Sequence, residues 1–285
     1  MLSHDLLPTL HAGGPADLVQ LDPDHPGFRD PVYRQRRLEI ADIALNHATG
    51  RPVPHAPYID AEHAVWAHVT GLLRELHPQR VCRELLELQT LVGLPPDHIP
   101  QLEDVNTVLG DVAGFRMEPV AGLVSTRTFL RYLGKRVFLS TQYIRHHSKP
   151  LYTPEPDVLH ELIGHASTLV HPGIAELNRL LGLAAAEANP TEMDRIANVY
   201  WYTMEFGLVE EDGAVKAFGA GLLSSVGELG GYDTRSTLLP WDLRRIAATP
   251  YDPTTFQPHL FVAPSFTRLL VDVARWVRTG GWRRD

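Results

Sequence analysis

A single cysteine, Cys82, stands among 285 residues. No internal disulfide can form and a cysteine-rich zinc site is excluded, so any metal has to be held by histidine and carboxylate. The thiol itself reads as a small buried apolar residue. Basic charge is also scarce: 26 Lys and Arg face 34 Asp and Glu, for a net charge of -8. That balance offers no electrostatic footprint for a phosphate backbone or an anionic lipid surface. No apolar run approaches the roughly 18 residues of a membrane span. The opening MLSHDLLPTLHAGG lacks the basic and apolar regions of a signal peptide. The expectation is a cytoplasmic protein with neither nucleic acid nor membrane as partner. Internal repeats, low-complexity tracts and divided linkers are missing as well. With 44% hydrophobic and 21% charged residues, the composition is that of a folded globular chain.

What the sequence does have is helical periodicity. Asp30 followed by Pro31 is a cap and first turn, and Leu38, Ile40, Ala41, Ile43 and Ala44 follow at helical spacing, which predicts a helix over 30–46. Similar patterns predict helices near 60–76, 80–92, 101–113, 126–133, 157–168, 173–187, 190–206 and 263–278. Strand signals are confined to RVFLST at 136–141 and to 215–218, after the turn residues Glu211, Asp212 and Gly213, and the two are expected to form one small ribbon. The fold class is therefore mainly α (α+β), with a small β-ribbon. Gly13, Gly14 and Pro15 mark residues 1–20 as a flexible arm, and residues 21–285 read as one domain.

The chemical information is densest in YTPEPDVLHELIGH, Tyr152 to His165. A zincin needs histidines at i and i+4, on one face of a helix, whereas His160 and His165 are five apart. On an ideal helix they diverge by roughly 140°, and they meet on one ion only if the turn is widened, which Gly164 permits. Glu161 is then left beside the site instead of serving as a proteolytic base. A third ligand is available from the helix NPTEMDRIANVYWYTMEF, where Asn189, Pro190 and Glu192 form a capped start and Glu205 lies four residues after Trp201, beside the apolar face. A carboxylate there is expensive to bury without a cation. Two imidazoles and one carboxylate make the facial set of non-haem iron(II) oxygenases, although ligand type alone would also suit catalytic zinc.

Taken together, TQYIRHHSKPLYTPEPDVLHELIGH (Thr141 to His165), VYWYTMEFGL (Val199 to Leu208) and KAFGAGLLSSVGEL (Lys216 to Leu229) resemble the pterin-dependent aromatic amino acid hydroxylases. The likeness continues through LDPDHPGFRDPVY, IPQLEDV, PVAGLVSTRTFL and TFQPHLFVAPSF, and so covers nearly the whole chain. It implies a mostly helical basket, the aromatic amino acid hydroxylase catalytic domain, around an iron. His160, His165 and Glu205 match the family's iron ligands. Arg145 matches the arginine that pairs with the substrate carboxylate, with Thr153, Ser224 and Ser225 around the substrate backbone. Pro156, Trp201, Phe206 and Gly221 match the walls of an aromatic slot. Glu161, Gly122, Leu123, Val124, Thr126 and Phe129 match the pterin site, with Ala197 beside them. Glu161, Trp201 and Ser224 are the residues matched closest to the chemistry. The resemblance also implies an ion pair between Arg37 and Glu155.

The activity so implied is hydroxylation of the ring of L-phenylalanine with O2, Fe(II) and tetrahydrobiopterin or a related tetrahydropterin. Alternatives within the class are hydroxylation of tryptophan at its 5-position or of phenylalanine at the meta carbon, and outside it a non-catalytic metal- or pterin-binding protein. Departures from the family pattern are informative. With about 20 residues before the matching region and few after Phe266, neither a regulatory domain nor a tetramerisation helix is expected, and a constitutive monomer or weak dimer is the expectation. A lid tyrosine of the animal enzymes would fall near Asp17, Leu139 replaces a usual His or Gln, and Pro253 falls in the substrate loop.

Overall fold

The computed structural model describes residues 21–284. The expected arm at 1–20, with Asp17, lies outside the described residues. Most elements are helices, and several start where a side chain takes up free amide groups. Asp30 accepts from the amides of Val32 and Tyr33 and opens α1, Pro31–Asn46, with proline in its first turn. The next helices are α2, Asp60–Arg80, α3, Arg83–Val92, and α4, Leu102–Ala113. The last two end at Gly93 and Gly114, both in the left-handed region that glycine adopts freely. Helix α2 continues through Pro78 to Arg80, past the predicted stop at 76.

Strand β1, Arg116–Pro119, then lies parallel to β2, Val137–Ser140, with α5, Thr126–Leu133, crossing between them. Their register sets Pro119 beside Ser140. The chain segments that leave this small sheet, 120–125 and 141–145, therefore emerge side by side. Helical residues follow at His160–Ala166, which is a π-helix, and at α6, Ser167–Leu169. Helix α7, Pro172–Glu187, precedes α8, Pro190–Tyr200, which opens with the expected capping box of Asn189 and Glu192. A second π-helical segment, Trp201–Glu205, extends α8.

The C-terminal third departs from the expected single ribbon. Strands β3, Leu208–Glu211, and β4, Ala214–Ala217, form a hairpin across Asp212 and Gly213, both at positive φ. They join β5, Thr237–Pro240, and β6, His259–Ala263, in a four-stranded sheet of order β4-β3-β6-β5. The segment 136–141 pairs in the other sheet, so two sheets stand where one ribbon was expected. Strands of four or five residues are too short for alternation to announce them, and β1 and β5 each end in proline. Because β6 takes residues 259–263, the last long helix, α12, begins at Phe266 instead of 263, capped by Ser265. Three further helices escaped the periodicity: α9, Ala220–Leu223, α10, Val226–Arg235, and α11, Leu243–Ala248. The run VGELGGYDTR carries three glycines that dilute its pattern.

Helices α5 and α7 cross backbone to backbone: a Cβ on Gly182 would fall 2.1 Å from the amide nitrogen of Gly134. The core around α7 and α8 holds Leu181, Ile196 and Val199 with no exposure. Each such side chain contributes about 1.5–3 kcal/mol on leaving water. That rigid centre carries both π-helical segments, and the site lies between them. No described helix is long and apolar enough to cross a membrane.

Candidate metal centre and active site

The five-residue histidine spacing is resolved by backbone geometry. Residues 160–166 are wound as a π-helix, whose wider turn brings i and i+5 onto one side. The Nε2 atoms of His160 and His165 come within 3.1 Å of each other. The second π-helix does the same service for Glu205. There the Phe206 amide donates to the Trp201 carbonyl, five residues back, at 2.8 Å. Glu205 Oε1 then lies 2.9 Å from His165 Nε2 and its Oε2 lies 3.7 Å from His160 Nε2. Gly164 was expected to matter for widening the turn, but its φ is not positive. Its cause is contact: a Cβ there would fall 2.6 Å from the carbonyl oxygen of Ala220.

The surroundings prepare the three donors for a cation. The Ser224 hydroxyl donates to the Ala220 carbonyl at 2.8 Å, which leaves its oxygen to accept from His160 Nδ1 at 2.9 Å. The proton of His160 is thereby held on Nδ1, and the Nε2 lone pair faces the centre. Burial, then the neighbouring His165, pulls His160 down to about 4. For His165 burial acts downward, but the Glu205 carboxylate outweighs it and the net shift is upward. Burial raises Glu205, and His165 more than offsets this, leaving its carboxyl below the usual range. Two imidazoles and a carboxylate thus share a demand for one positive charge. Neighbouring ligands at right angles on a metal with bonds of about 2.1 Å stand about 3.0 Å apart, a spacing that the two shorter distances here match. The residues present fit a divalent metal of the oxygenase type.

A second group of metal-capable side chains among the described residues, Asp30, His146 and His147, is of another kind. His146 Nε2 meets Asp30 Oδ2 at 3.1 Å, and its Nδ1 accepts from the Ser148 amide at 3.2 Å. Both ring nitrogens are engaged, and the group ties the start of α1 to the 146–148 turn.

Arg145 and Asp157 are both buried and pair side-on, with Nε to Oδ2 and Nη2 to Oδ1 each at 2.8 Å. Burial pushes Asp157 up, and Arg145 brings its carboxyl net below the usual range. The end-on edge of the guanidinium remains, where Nη1 reaches only the Pro150 carbonyl, at 3.5 Å. Arg37 pairs with Glu155 at 2.5 Å, as the resemblance implied, and its guanidinium lies 3.3 Å from the centre of the Tyr143 ring. Thr153, half-buried, donates to the Glu155 carbonyl, and Pro156 is exposed at the rim. Ser225 caps α10, its hydroxyl accepting from the Glu228 amide.

Glu161 is bonded to Thr141, the residue that follows β2. Its Oε1 accepts from the amide and the hydroxyl of Thr141, at 3.2 and 3.0 Å. Burial pushes its carboxyl up to about 7. Because Thr141 leaves the sheet beside residue 120, Glu161 shares this side with the 122–126 loop. In that loop Gly122 is buried, Val124 half-buried, and Leu123 and Thr126 exposed. Phe129 meets Phe138 and Tyr200 edge to face, at 5.2 and 5.6 Å, and Ala197 lies buried on α8. Leu139 packs with Val120, Tyr132 and Val137.

An aromatic group is built around Trp201. Trp201 stacks on Tyr251 at 4.1 Å and 8°, and Phe206 leans on it at 4.8 Å and 36°. Gly221 is needed beside Phe206, whose Cζ would lie 2.9 Å from an added Cβ. The indole donates to Gln257 Oε1 at 2.9 Å. Tyr251 and Gln257 were missed from the sequence. The segment TFQPHLFVAPSF was singled out there, yet nothing in it distinguishes this glutamine from any other polar residue.

Comparison with known proteins bears on the same residues. The model of the family described as biopterin-dependent aromatic amino acid hydroxylase matches residues 16–280. Phenylalanine-4-hydroxylase of Rattus norvegicus is 46% identical over 266 residues, 92% of this chain and 58% of that protein. Tyrosine 3-monooxygenase of Bos taurus is 45% identical over 252 residues, 87% of this chain and 51% of that protein. The chain therefore spans a little over half the length of these relatives. Among solved structures, phenylalanine hydroxylase of Chromobacterium violaceum with bound iron(III) and oxidised 7,8-dihydrobiopterin is similar, with TM-score 0.77 and 28% identity over 92% of this chain and 93% of that one. Its cobalt-bound form gives TM-score 0.77 and 29% identity, covering 90% of each chain.

Proposed function

The chain belongs to the biopterin-dependent aromatic amino acid hydroxylases, and on that premise we propose that it hydroxylates the ring of L-phenylalanine to give tyrosine. The observation that carries this reading is the convergence of His160, His165 and Glu205 from two π-helical segments. These three would hold Fe(II). Tetrahydrobiopterin or a related tetrahydropterin would lie along Gly122, Leu123, Val124, Thr126, Phe129, Glu161 and Ala197. When bound, the iron and the pterin supply activation of O2 and the two reducing electrons.

The protein's own contributions are binding, orientation and exclusion of water. Asp157 fixes the guanidinium of Arg145, whose free edge meets the substrate carboxylate as a two-point fork. Thr153, Ser224 and Ser225 border the substrate backbone. Ser224 has a second task, since its hydroxyl sets the tautomer of His160. Pro156, Trp201, Phe206 and Gly221 wall a slot in which a flat ring gains by stacking and desolvation. Glu161, buried and held by the amide and hydroxyl of Thr141, would hydrogen-bond the pterin ring. Residues 21–285 act as one catalytic domain, and the protein works as a monomer or weak dimer. Cys82, buried with its thiol pushed up to about 12, asks nothing of an oxidising compartment, in keeping with a cytoplasmic setting.

A second reading comes from the similarity to a tyrosine hydroxylase, almost as high as that to the phenylalanine enzymes. Protein loaded with iron without oxygen, then given air, a tetrahydropterin and equal Phe, Tyr and Trp, separates the readings by product. Tyrosine formed from phenylalanine is expected. Dihydroxyphenylalanine or hydroxytryptophan as the main product would move the substrate assignment, and no hydroxylated product at one iron per chain would overturn the enzyme reading.

A further inference from the structure

Gln257 is 1% exposed, and every polar atom of its side chain is engaged. Oε1 accepts from the Trp201 indole at 2.9 Å, while the two Nε2 hydrogens go to the carbonyls of Asp252 and Thr255, at 2.9 and 2.8 Å. The backbone of the same residue is tied by the Ser236 hydroxyl at 2.7 Å. A buried amide with two donors committed to carbonyls can present only its oxygen to the indole, so its orientation is fixed. What it joins are separate parts of the site. Trp201 opens the π-helical segment that ends in Glu205, and residues 250–256 carry Tyr251, the ring stacked on Trp201. Tyr202 adds one more tether, its hydroxyl donating to the Pro250 carbonyl at 3.1 Å.

We propose that Gln257 is a positioning residue that locks the Trp201 indole against the 250–256 loop and so sets the width of the aromatic slot that separates a single-ring substrate from a bicyclic one. The indole could otherwise turn about its side-chain torsions, because it is only half-buried. With Gln257 in place the Tyr251–Trp201–Phe206 group is one rigid wall, and the loop cannot withdraw without exposing two unpaired carbonyls and an unpaired amide. The substrate part of this proposal rests on the hydroxylase reading, whereas the locking of Trp201 does not.

The test uses 5-fluorotryptophan protein and competition assays with equal Phe and Trp. The Trp201 fluorine resonance, identified from its loss in Trp201→Phe, reports the lock directly. Gln257→Leu is expected to shift and broaden that resonance, to raise the Michaelis constant for Phe by about 10-fold with a smaller change in kcat, and to lower the Phe-over-Trp efficiency ratio by about 10-fold. Trp201→Phe with Gln257→Leu replaces both partners of the bond by apolar groups. It relieves the unpaired indole that the single glutamine variant leaves, while the Asp252 and Thr255 carbonyls lose their donor in both, and it is expected to show the ratio of Trp201→Phe alone, since the two residues act as a unit. An unmoved Trp201 resonance in Gln257→Leu would overturn the lock. So would a ratio kept at the wild-type value, or a double variant in which the two effects simply add. If wild-type protein hydroxylates neither amino acid, the hydroxylase reading fails while the resonance still decides the locking.

Discussion

Gly164 meets Ala220 so closely that a methyl group at 164 would lie 2.6 Å from the Ala220 carbonyl oxygen, the same oxygen that accepts the Ser224 hydroxyl. One contact therefore joins the π-helix that carries both histidines to the hydroxyl that sets the tautomer of His160. Gly164→Ala should force α9 outward and break the bond between Ser224 and His160. The expected result is metal affinity lowered by about 10- to 100-fold, the usual effect of losing a partner behind a ligand. Stability should fall by about 1–3 kcal/mol from overpacking. Competition with a metal indicator and thermal unfolding check the two parts, and unchanged affinity would break the link between the glycine and the metal centre.

His165→Ala should abolish stoichiometric iron binding and turnover. It removes one of three donors and leaves His160, 3.7 Å from the buried Glu205, as the one histidine of the set. Iron content after anaerobic loading and dialysis is the measurement. One iron retained per chain with near wild-type turnover would refute the ligand assignment.

The helical character of the fold was open to inspection in the sequence because caps and apolar spacing are local signals. Asp30, Asn189 and Glu192 do in the structure what their positions announce. The two sheets were not legible, since β1, β5 and β6 are held by partners far along the chain and are too short for a pattern. In the site, the five-residue spacing of His160 and His165 already demanded a widened turn if the two were to meet, and the π-helix meets that demand. What could not be read was the wiring behind the donors. Ser224 to His160, Arg145 to Asp157 and Trp201 to Gln257 depend on tertiary approach, and only the second pair is close enough in sequence to be suspected.

Arg145→Lys should raise the Michaelis constant for phenylalanine by about 10-fold or more, the equivalent of the roughly 1.5–3 kcal/mol of a charge-assisted bond. Lysine keeps the charge but lacks the planar fork, and it cannot hold both oxygens of Asp157 and still offer a second edge to a carboxylate. Direct titration of L-phenylalanine into the iron-loaded protein would separate binding from turnover. Unchanged affinity would show that the guanidinium serves Asp157 alone.

Glu228 gives a prediction about pH that does not touch the metal centre. Burial pushes its carboxyl from an ordinary 4.5 up to about 7, partly opposed by Arg235, and its Oε2 has no hydrogen-bond partner. A folded-state value above the unfolded one means that the folded protein holds the proton more tightly. The contribution to stability is then complete below about pH 4.5 and is lost as pH rises toward 7, beyond which an ionised carboxylate sits in a poorly solvated place. Glu228→Gln keeps the shape and the backbone amide that Ser225 caps, but removes the titration. Relative to the wild-type protein, the variant should be more stable at pH 8 by about 1–2 kcal/mol, a figure reduced from the full shift because the side chain is only partly buried. At pH 4.5 the two proteins should differ little. Urea unfolding of both proteins at half-unit steps from pH 4.5 to 8 measures the difference directly. A gap that stays flat across that range, or that favours the wild-type protein at pH 8, would mean that Glu228 is better solvated or better paired than its surroundings indicate.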